Sequence, residues 1–338
     1  MQPRARATRD RWAVEFAAKA RAHWTQARTL ELTGGKQLAV VPAEAPLLLR
    51  ALGLLHRDAT MPPSQVRKFL QINHVVRVIE PAIVELCARH PVVHVLDAGC
   101  GRSYLSLLLA WCGRERWNHR IEVLGIDRDP GVIDECRRRT ELAELDDVVR
   151  FRAARLDEIE VRERSGVARG AAAPGIGRVH AVFALHACDT ASDDAIILGV
   201  RLAAALIAVA PCCQAELARG WSELADRPGG FGPIWRAPHL RREIAAHLTD
   251  AMRVLLLRAA GYRVAAMEFI AATHTKKNTL IRATTSPAGP DPAARAEYDA
   301  LVVATGGIGL GLAARLVRAN PAQVPSIVDG TATRIVGG

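Results

Sequence analysis

What most limits the fold of this chain is the order in which its hydrophobic periodicities change after His90 and Pro91. "VVHVLD" is a β-branched run that enters a glycine turn and then the apolar helical stretch "RSYLSLLLAWCG". The succession repeats with "IEVLGID" before "PGVIDECRRRTELAEL", then "VVRFRAA", then "HAVFAL" before "SDDAIILGVRLAAA", and then "LIAVA". Short apolar runs alternating with segments of helical period predict a parallel sheet with helices on both faces. A long helix, "LRREIAAHLTDAMRVLLLRAAG", then leads to two last strands, "YRVAAMEFIAA" and "NTLIRATT", joined by "THTKK".

The part before the sheet reads as helical. Trp12, Phe16, Ala20 and Trp24 share one side of a helical projection while Arg11, Lys19, Arg21 and Arg28 take the others, which predicts one basic amphipathic helix from Trp12 to about Leu32. "PAEAPLLLRALGLLHRD" predicts a second helix. "MPPS" opens a third, with Val66, Phe69, Leu70, Ile72, Val76, Ile79, Ile83 and Leu86 at helical spacing and a kink expected at Pro81. Residues 162–177, rich in Gly, Ala and Arg, predict a flexible loop, and "ARGWSELADRPGGFGPIWRAPH" a long irregular one. Beyond "SPAGPDP" the chain leaves the sheet for a helical tail. There, "ATGGIGLGLAARL" has the look of a nucleotide fingerprint, but too few residues follow to build such a unit, so it reads as a Gly-rich helix start.

The net charge of +10 favours an acidic partner such as nucleic acid, although nearly all of it is arginine in an alanine-rich chain. The seven cysteines, at 87, 100, 112, 136, 188, 212 and 213, follow neither a disulfide framework nor paired zinc knuckles, so reduced thiols, no metal and a cytoplasmic setting are expected. Neither a signal-peptide apolar region nor a run long enough to span a bilayer is evident.

The sharpest chemical signal is "VLDAGCGRSYLS", Val95 to Ser106, where a strand meets a helix. Gly99 and Gly101 allow close approach of a ligand to the backbone at the sheet's carboxyl edge. A dinucleotide fingerprint would place a third glycine where Tyr104 stands, and Asp97 at the strand end suits a cationic ligand better than pyrophosphate. "GIDRD" then puts Asp127 at the next strand end, where a carboxylate can accept both ribose hydroxyls.

Asp-x-Gly-x-Gly followed by this strand-end acid resembles the class I S-adenosylmethionine-dependent methyltransferases. The resemblance implies an α/β, Rossmann-like sheet of seven strands closed by an antiparallel pair, with a helical N-terminal extension. It divides the chain into a helical region at 1–90, an S-adenosyl-L-methionine-binding methyltransferase domain at 91–285 and a helical tail at 286–338. It also implies that Asp97, Gly99 and Gly101 hold the methionine portion and Asp127 the ribose, with Cys100, Tyr104, Arg128, Leu156, Leu185 and His186 completing the cofactor set. The acid that many relatives carry after the third strand is replaced by "RAARLDE", where Arg155 stands near that place. Asp157, or backbone beside Leu156, is then left to meet the adenine.

"FALHACDTASDDAI" and "VAPCCQ" leave the carboxyl ends of neighbouring strands. They resemble a subfamily with "LH.CGDLSD" and "PCC" in those places, which includes ribose 2′-O-methyltransferases acting on the transfer-RNA acceptor stem. His186, Cys188, Asp189, Pro211, Cys212 and Cys213 match, Thr190 departs, and the likeness runs over about residues 60 to 285, with "QVRKFLQIN" included. Its implied chemistry is in-line attack on a sulfonium methyl group. No (Asp/Asn)-Pro-Pro-(Tyr/Phe) motif follows strand four, which argues against adenine N6 and similar nitrogens as acceptors.

The catalytic candidates are His186, Cys212 and Lys276. His186 either serves a nucleophile as orienting group or base, or stacks over adenosine and satisfies a carbonyl. Adjacent Cys212 and Cys213 lack the turn and the glutamate of a zinc deaminase, and their surroundings do not match a cytosine C5 methyltransferase. Lining the acceptor pocket is their default reading, with Cys212 kept as a nucleophile candidate. Lys276 or Lys277 either steers a phosphate or forms a solvated turn. Asp193 and Asp194 read as charges at a helix start. RNA is expected to bind through the basic N-terminal helix and an aromatic loop at 218–239 holding Trp221, Phe231, Trp235, Arg236 and His239, which also fits a lid. Expected function is therefore methylation of RNA, transfer or ribosomal, with a protein or small-molecule acceptor, or an inactive cofactor-binding module, as alternatives.

Overall fold

The computed structural model describes residues 3–159, 178–185, 190–211, 215–268 and 279–319, with side chains from Arg11 onward. Helices α1 (Pro3–His23), α2 (Gln26–Thr33), α3 (Pro46–Ala51) and α4 (Pro63–Arg89) precede the sheet. The sheet strands are β1 (Val92–Ala98), β2 (Arg120–Asp127), β3 (Val149–Ala153), β4 (Ala181–Ala184), β5 (Leu206–Val209), β6 (Tyr262–Glu268) and β7 (Thr279–Thr285). Between and after them stand α5 (Tyr104–Glu115), α6 (Pro130–Leu142), α7 (Thr190–Arg201), α8 (Glu216–Ser222), α9 (Gly232–Arg236), α10 (Pro238–Ala259), α11 (Pro292–Ala304) and α12 (Gly311–Ala319).

Strand order is β3-β2-β1-β4-β5-β7-β6, and β7 runs antiparallel to both its neighbours. The other pairings are parallel, so β1 to β5 end at one edge, with Asp97 opposite Gly125 and Phe183, and Asp127 opposite Ala153. This is the seven-stranded α/β arrangement that the alternating periodicities predict. Side chains alternate across it as a pleat requires. Val93, Val95, Phe183 and Ala208 enter a core shared with α1 and α3 to α6, whereas Leu96, Ala98, Val182 and Val209 enter a second core under α7, α8 and α10 to α12.

Three local expectations change. The single helix expected up to Leu32 breaks at Trp24 and Thr25, because the Trp24 indole donates to the Ala59 carbonyl (2.7 Å) while Thr25 caps α2. Of the helix expected from "PAEAPLLLRALGLLHRD", only α3 forms, since the chain turns at Leu52 and Gly53, the latter at φ 73°. The segment expected to be an irregular loop at 218–239 takes in most of α8, all of α9 and the start of α10. In the helix expected to kink, Pro81 stands inside α4, which continues to Arg89.

The tail belongs to the second core. Gly306, at φ 106°, lies against Trp235 and Leu224, where a Cβ would come within 2.7 Å and 2.6 Å of their side chains. The Tyr298 hydroxyl accepts the Leu310 amide (2.9 Å), and α12 opens at Gly311. The Gly-rich run is thus a helix start held against tryptophan.

At the opposite edge of the sheet from Asp97, the His180 ring stacks on His90 (4.0 Å between centroids), lies 5.4 Å from His94 and accepts the His94 amide at Nδ1 (2.9 Å). Burial, with help from His90, Arg178 and His94, lowers its pKa from 6.5 to about 4. Between these values the unfolded chain takes up a proton that the fold refuses. The stability His180 confers is therefore complete above pH 6.5 and is lost as pH falls towards about 4. Melting temperatures measured across that window should fall more steeply for the wild type than for His180→Gln. Equal slopes would show that the stack does not set the acid sensitivity.

Candidate functional site

The glycine turn after β1 rests on β2. The Gly99 and Cys100 amides both donate to the Ile126 carbonyl, at 2.8 and 2.9 Å. Gly99 (φ 70°) and Gly101 (φ 49°) occupy the left-handed region, where a Cβ is strained, and among the described residues, apart from Gly101 and its two chain neighbours, no atom lies within 4 Å of where a Gly101 Cβ would stand. Backbone conformation favours glycine there, and the space beside Gly101 is open.

The two strand-end acids differ in environment. Asp97 is buried and accepts the Ser106 hydroxyl at 2.6 Å. Its pKa is raised to about 6 by burial, which the bonds from Ser106 partly oppose, so the carboxylate is mainly ionised at neutral pH. Asp127 is half-buried: Oδ2 accepts the Gly101 amide (3.0 Å) and Oδ1 the Asp129 amide (3.1 Å), tying β2 to the turn. A carboxylate offers about four acceptor positions, so room for further donors is left.

Tyr104 closes one side of the turn. Its hydroxyl donates to the Leu52 carbonyl (2.8 Å), and the Lys68 ammonium stands 3.7 Å from its ring centroid. A cavity of about 300 Å³ lies beside it, lined by Lys68, Gln71, Gly101, Arg102, Tyr104 and Leu185 among others. Gly101, Tyr104 and Leu185 are therefore brought together. Arg128 is exposed just past Asp127, and Leu156 is half-buried beyond β3.

Some expectations are corrected. The Cys100 side chain is buried in the core beneath the turn, close to Gly125, so only its backbone remains for a ligand. Its thiol is pushed upward by hydrogen bonding with Cys136 and by burial. Asp157 is held by the Arg155 guanidinium (3.1 and 2.9 Å), an exposed pairing that competes with any bond to adenine. In the segment expected to stack on bases, Trp221 and Trp235 are buried and Phe231 is half-buried between them, because their rings fill the second core. Arg236 and His239 are exposed. Asp193 and Asp194 do more than face a helix dipole, since they pair with Arg253 and Arg315.

His186, Cys188, Asp189, Cys212, Cys213, Lys276 and Lys277 lie outside the described residues, while Pro211 is buried past β5. Among the described residues, no group of three or more His, Cys, Asp or Glu is placed to hold a metal ion. No helix among them is long and apolar enough to cross a membrane.

Residues 67–220 match the family model of a methyltransferase domain, which spans the glycine turn, both strand-end acids and β1 to β5. These residues form a methyltransferase domain. A search of curated proteins finds no match. Among solved structures, the methyltransferase is similar to an S-adenosylhomocysteine-bound methyltransferase of Podospora anserina, at 12% identity, 76% of this chain, 92% of that one and a TM-score of 0.39. It is also similar to a geranyl diphosphate C-methyltransferase of Streptomyces coelicolor, at 16% identity, 66% of this chain, 87% of that one and a TM-score of 0.34.

The site includes residues that the motif left out. Lys68, Gln71, Arg102 and Ser106 all reach the methyltransferase's turn or its cavity. A signal for Lys68 was present: it is the one lysine of the helix opened by "MPPS" and lies inside "QVRKFLQIN". Helical periodicity picks out the apolar side of that helix and is silent on which polar residue meets the turn.

Proposed function

We propose that this methyltransferase modifies RNA, transfer or ribosomal, and that Asp97, Gly99 and Gly101 hold the methionine portion of S-adenosylmethionine while Asp127 receives the ribose hydroxyls. The bound cofactor supplies a methyl group on a sulfonium. Open space over Gly101, beside a buried ionised carboxylate, fits such a cation. Leu156 backbone and the exposed Arg128 flank the nucleoside in this reading. The observation that carries the RNA assignment is the charge beside the turn: among the described residues, the cavity reaching Gly101 and Leu185 carries Lys68 and Arg102 and no carboxylate. An anionic acceptor is favoured where the chain already bears +10.

The chain's own contribution is then alignment. Tyr104, fixed through Leu52 and Lys68, and the apolar wall of Leu105, Leu108 and Leu185 exclude water from one side of the acceptor. We assign His186 to accepting the proton of an acceptor hydroxyl, Lys276 to a neighbouring phosphate, and Cys212 to the pocket wall. Incubating the purified enzyme with methyl-labelled cofactor and RNA, protein and metabolite fractions from a deletion strain tests the reading. Label is expected in RNA; label confined to protein or metabolites would overturn it.

A further inference from the structure

A second cavity, of about 690 Å³, runs along α4 beside the chain that follows α2. Its walls carry Lys36, Arg67, His74 and Arg77, all exposed, and its floor includes Leu38, Val66 and Leu70. On α4 the residues Arg67, Leu70, Gln71, His74 and Arg77 recur at steps of three and four, so they share one face of the helix. From Arg67 to Arg77 that face rises about 15 Å. Gln71 lines this cavity and also the smaller one that reaches Gly101 and Leu185, so the two lie side by side along α4.

The charge is one-sided. Among the described residues, no carboxylate lines either cavity and none forms an ion pair with Lys36, Arg67, Lys68, Arg77 or Arg102. Glu80, the nearby acid on α4, bonds to Arg116 (2.7 Å) and to the Trp117 indole (2.8 Å) and offsets part of the charge of Arg77. Cations over an apolar floor suit a strand whose phosphates lie outward and whose bases are unstacked. A duplex, with its bases turned inward, has little use for that floor.

We propose that the α4 groove is the track for a single-stranded segment of the RNA acceptor. Phosphates lie on Lys36, Arg67 and Arg77, bases rest on Leu38, Val66 and Leu70, and the strand passes Gln71 to reach Lys68 and Arg102 at the cofactor edge. The inference rests on the RNA reading above. It replaces the buried tryptophans of 218–239 as the base-binding surface and gives α1 no part in it.

The test is fluorescence anisotropy of a labelled, mixed-sequence single-stranded RNA oligonucleotide with the full chain, run as a salt series. Both substituted residues are exposed, so Arg67→Ala/Arg77→Ala should fold and keep wild-type affinity for S-adenosylhomocysteine by calorimetry. Its RNA affinity should fall at least about tenfold, with the slope of log K against log salt reduced by about 0.7 for each cation removed. Lys19→Ala/Arg21→Ala on α1 should bind RNA as the wild type does. Wild-type binding by the groove variant, or the same loss in the α1 variant, overturns the groove while methyl transfer to RNA stands. No methyl transfer to any RNA by the wild-type enzyme overturns the RNA reading and the groove with it.

Discussion

Asp127→Ala should weaken binding of S-adenosylmethionine and S-adenosylhomocysteine by about a hundredfold or more. A hydrogen bond to a charged group contributes about 1.5–3 kcal/mol, and each 1.4 kcal/mol is about tenfold in affinity, so losing two ribose bonds is enough. A second effect has the same sign. Asp127 also anchors the Gly101 amide at 3.0 Å, so its removal loosens the turn that is to receive the methionine portion. Asp127→Asn separates the two, because its amide oxygen still accepts one backbone N–H while the charge is gone. It should lose about tenfold, the value of one weakened charged bond. Calorimetric titration reads both variants, and an alanine variant within about threefold of the wild type would sink the assignment of Asp127 to the ribose.

The parts of this molecule that were legible in the sequence are those fixed by local pattern. β-branched runs ending at Asp97 and Asp127 located two adjacent strand ends, and Gly99 and Gly101 do occupy the left-handed conformations that made them conspicuous. Features set by distant packing were not legible. Trp221 and Trp235 sit among charges and glycines in the sequence, a composition that fits an exposed aromatic surface. Trp235 is covered at Gly306, more than seventy residues later, where the absence of a Cβ lets the tail close over it. Lys68 reaches the site only because α4 packs beside α5, which helical spacing cannot reveal. Asp193 and Asp194 read as ordinary helix-start acids because their partners stand far along the chain, Arg253 on α10 beyond β5 and Arg315 in the tail.

That hidden pairing carries the largest expected stability effect. Arg253 on α10 and Asp193 on α7 meet at 2.8 Å with side chains 2% and 4% exposed, and Asp250 adds a second carboxylate at 3.4 Å from Arg253. Arg253→Met keeps most of the buried volume but leaves Asp193 without the cation that makes its ionisation tolerable. Removing one partner of such a buried pair costs about 3–5 kcal/mol, whereas replacing both with apolar residues is often neutral. Urea unfolding near neutral pH should therefore show the single variant destabilised by about that amount and Asp193→Leu/Arg253→Met restored to within about 1 kcal/mol of the wild type. Burial already raises the Asp193 pKa against the pull of Arg253, and removing the arginine raises it further. The single variant's deficit should accordingly shrink as pH falls and Asp193 takes up a proton. A deficit independent of pH, or a double variant as unstable as the single one, would mean that Arg253 acts through its packing rather than its charge.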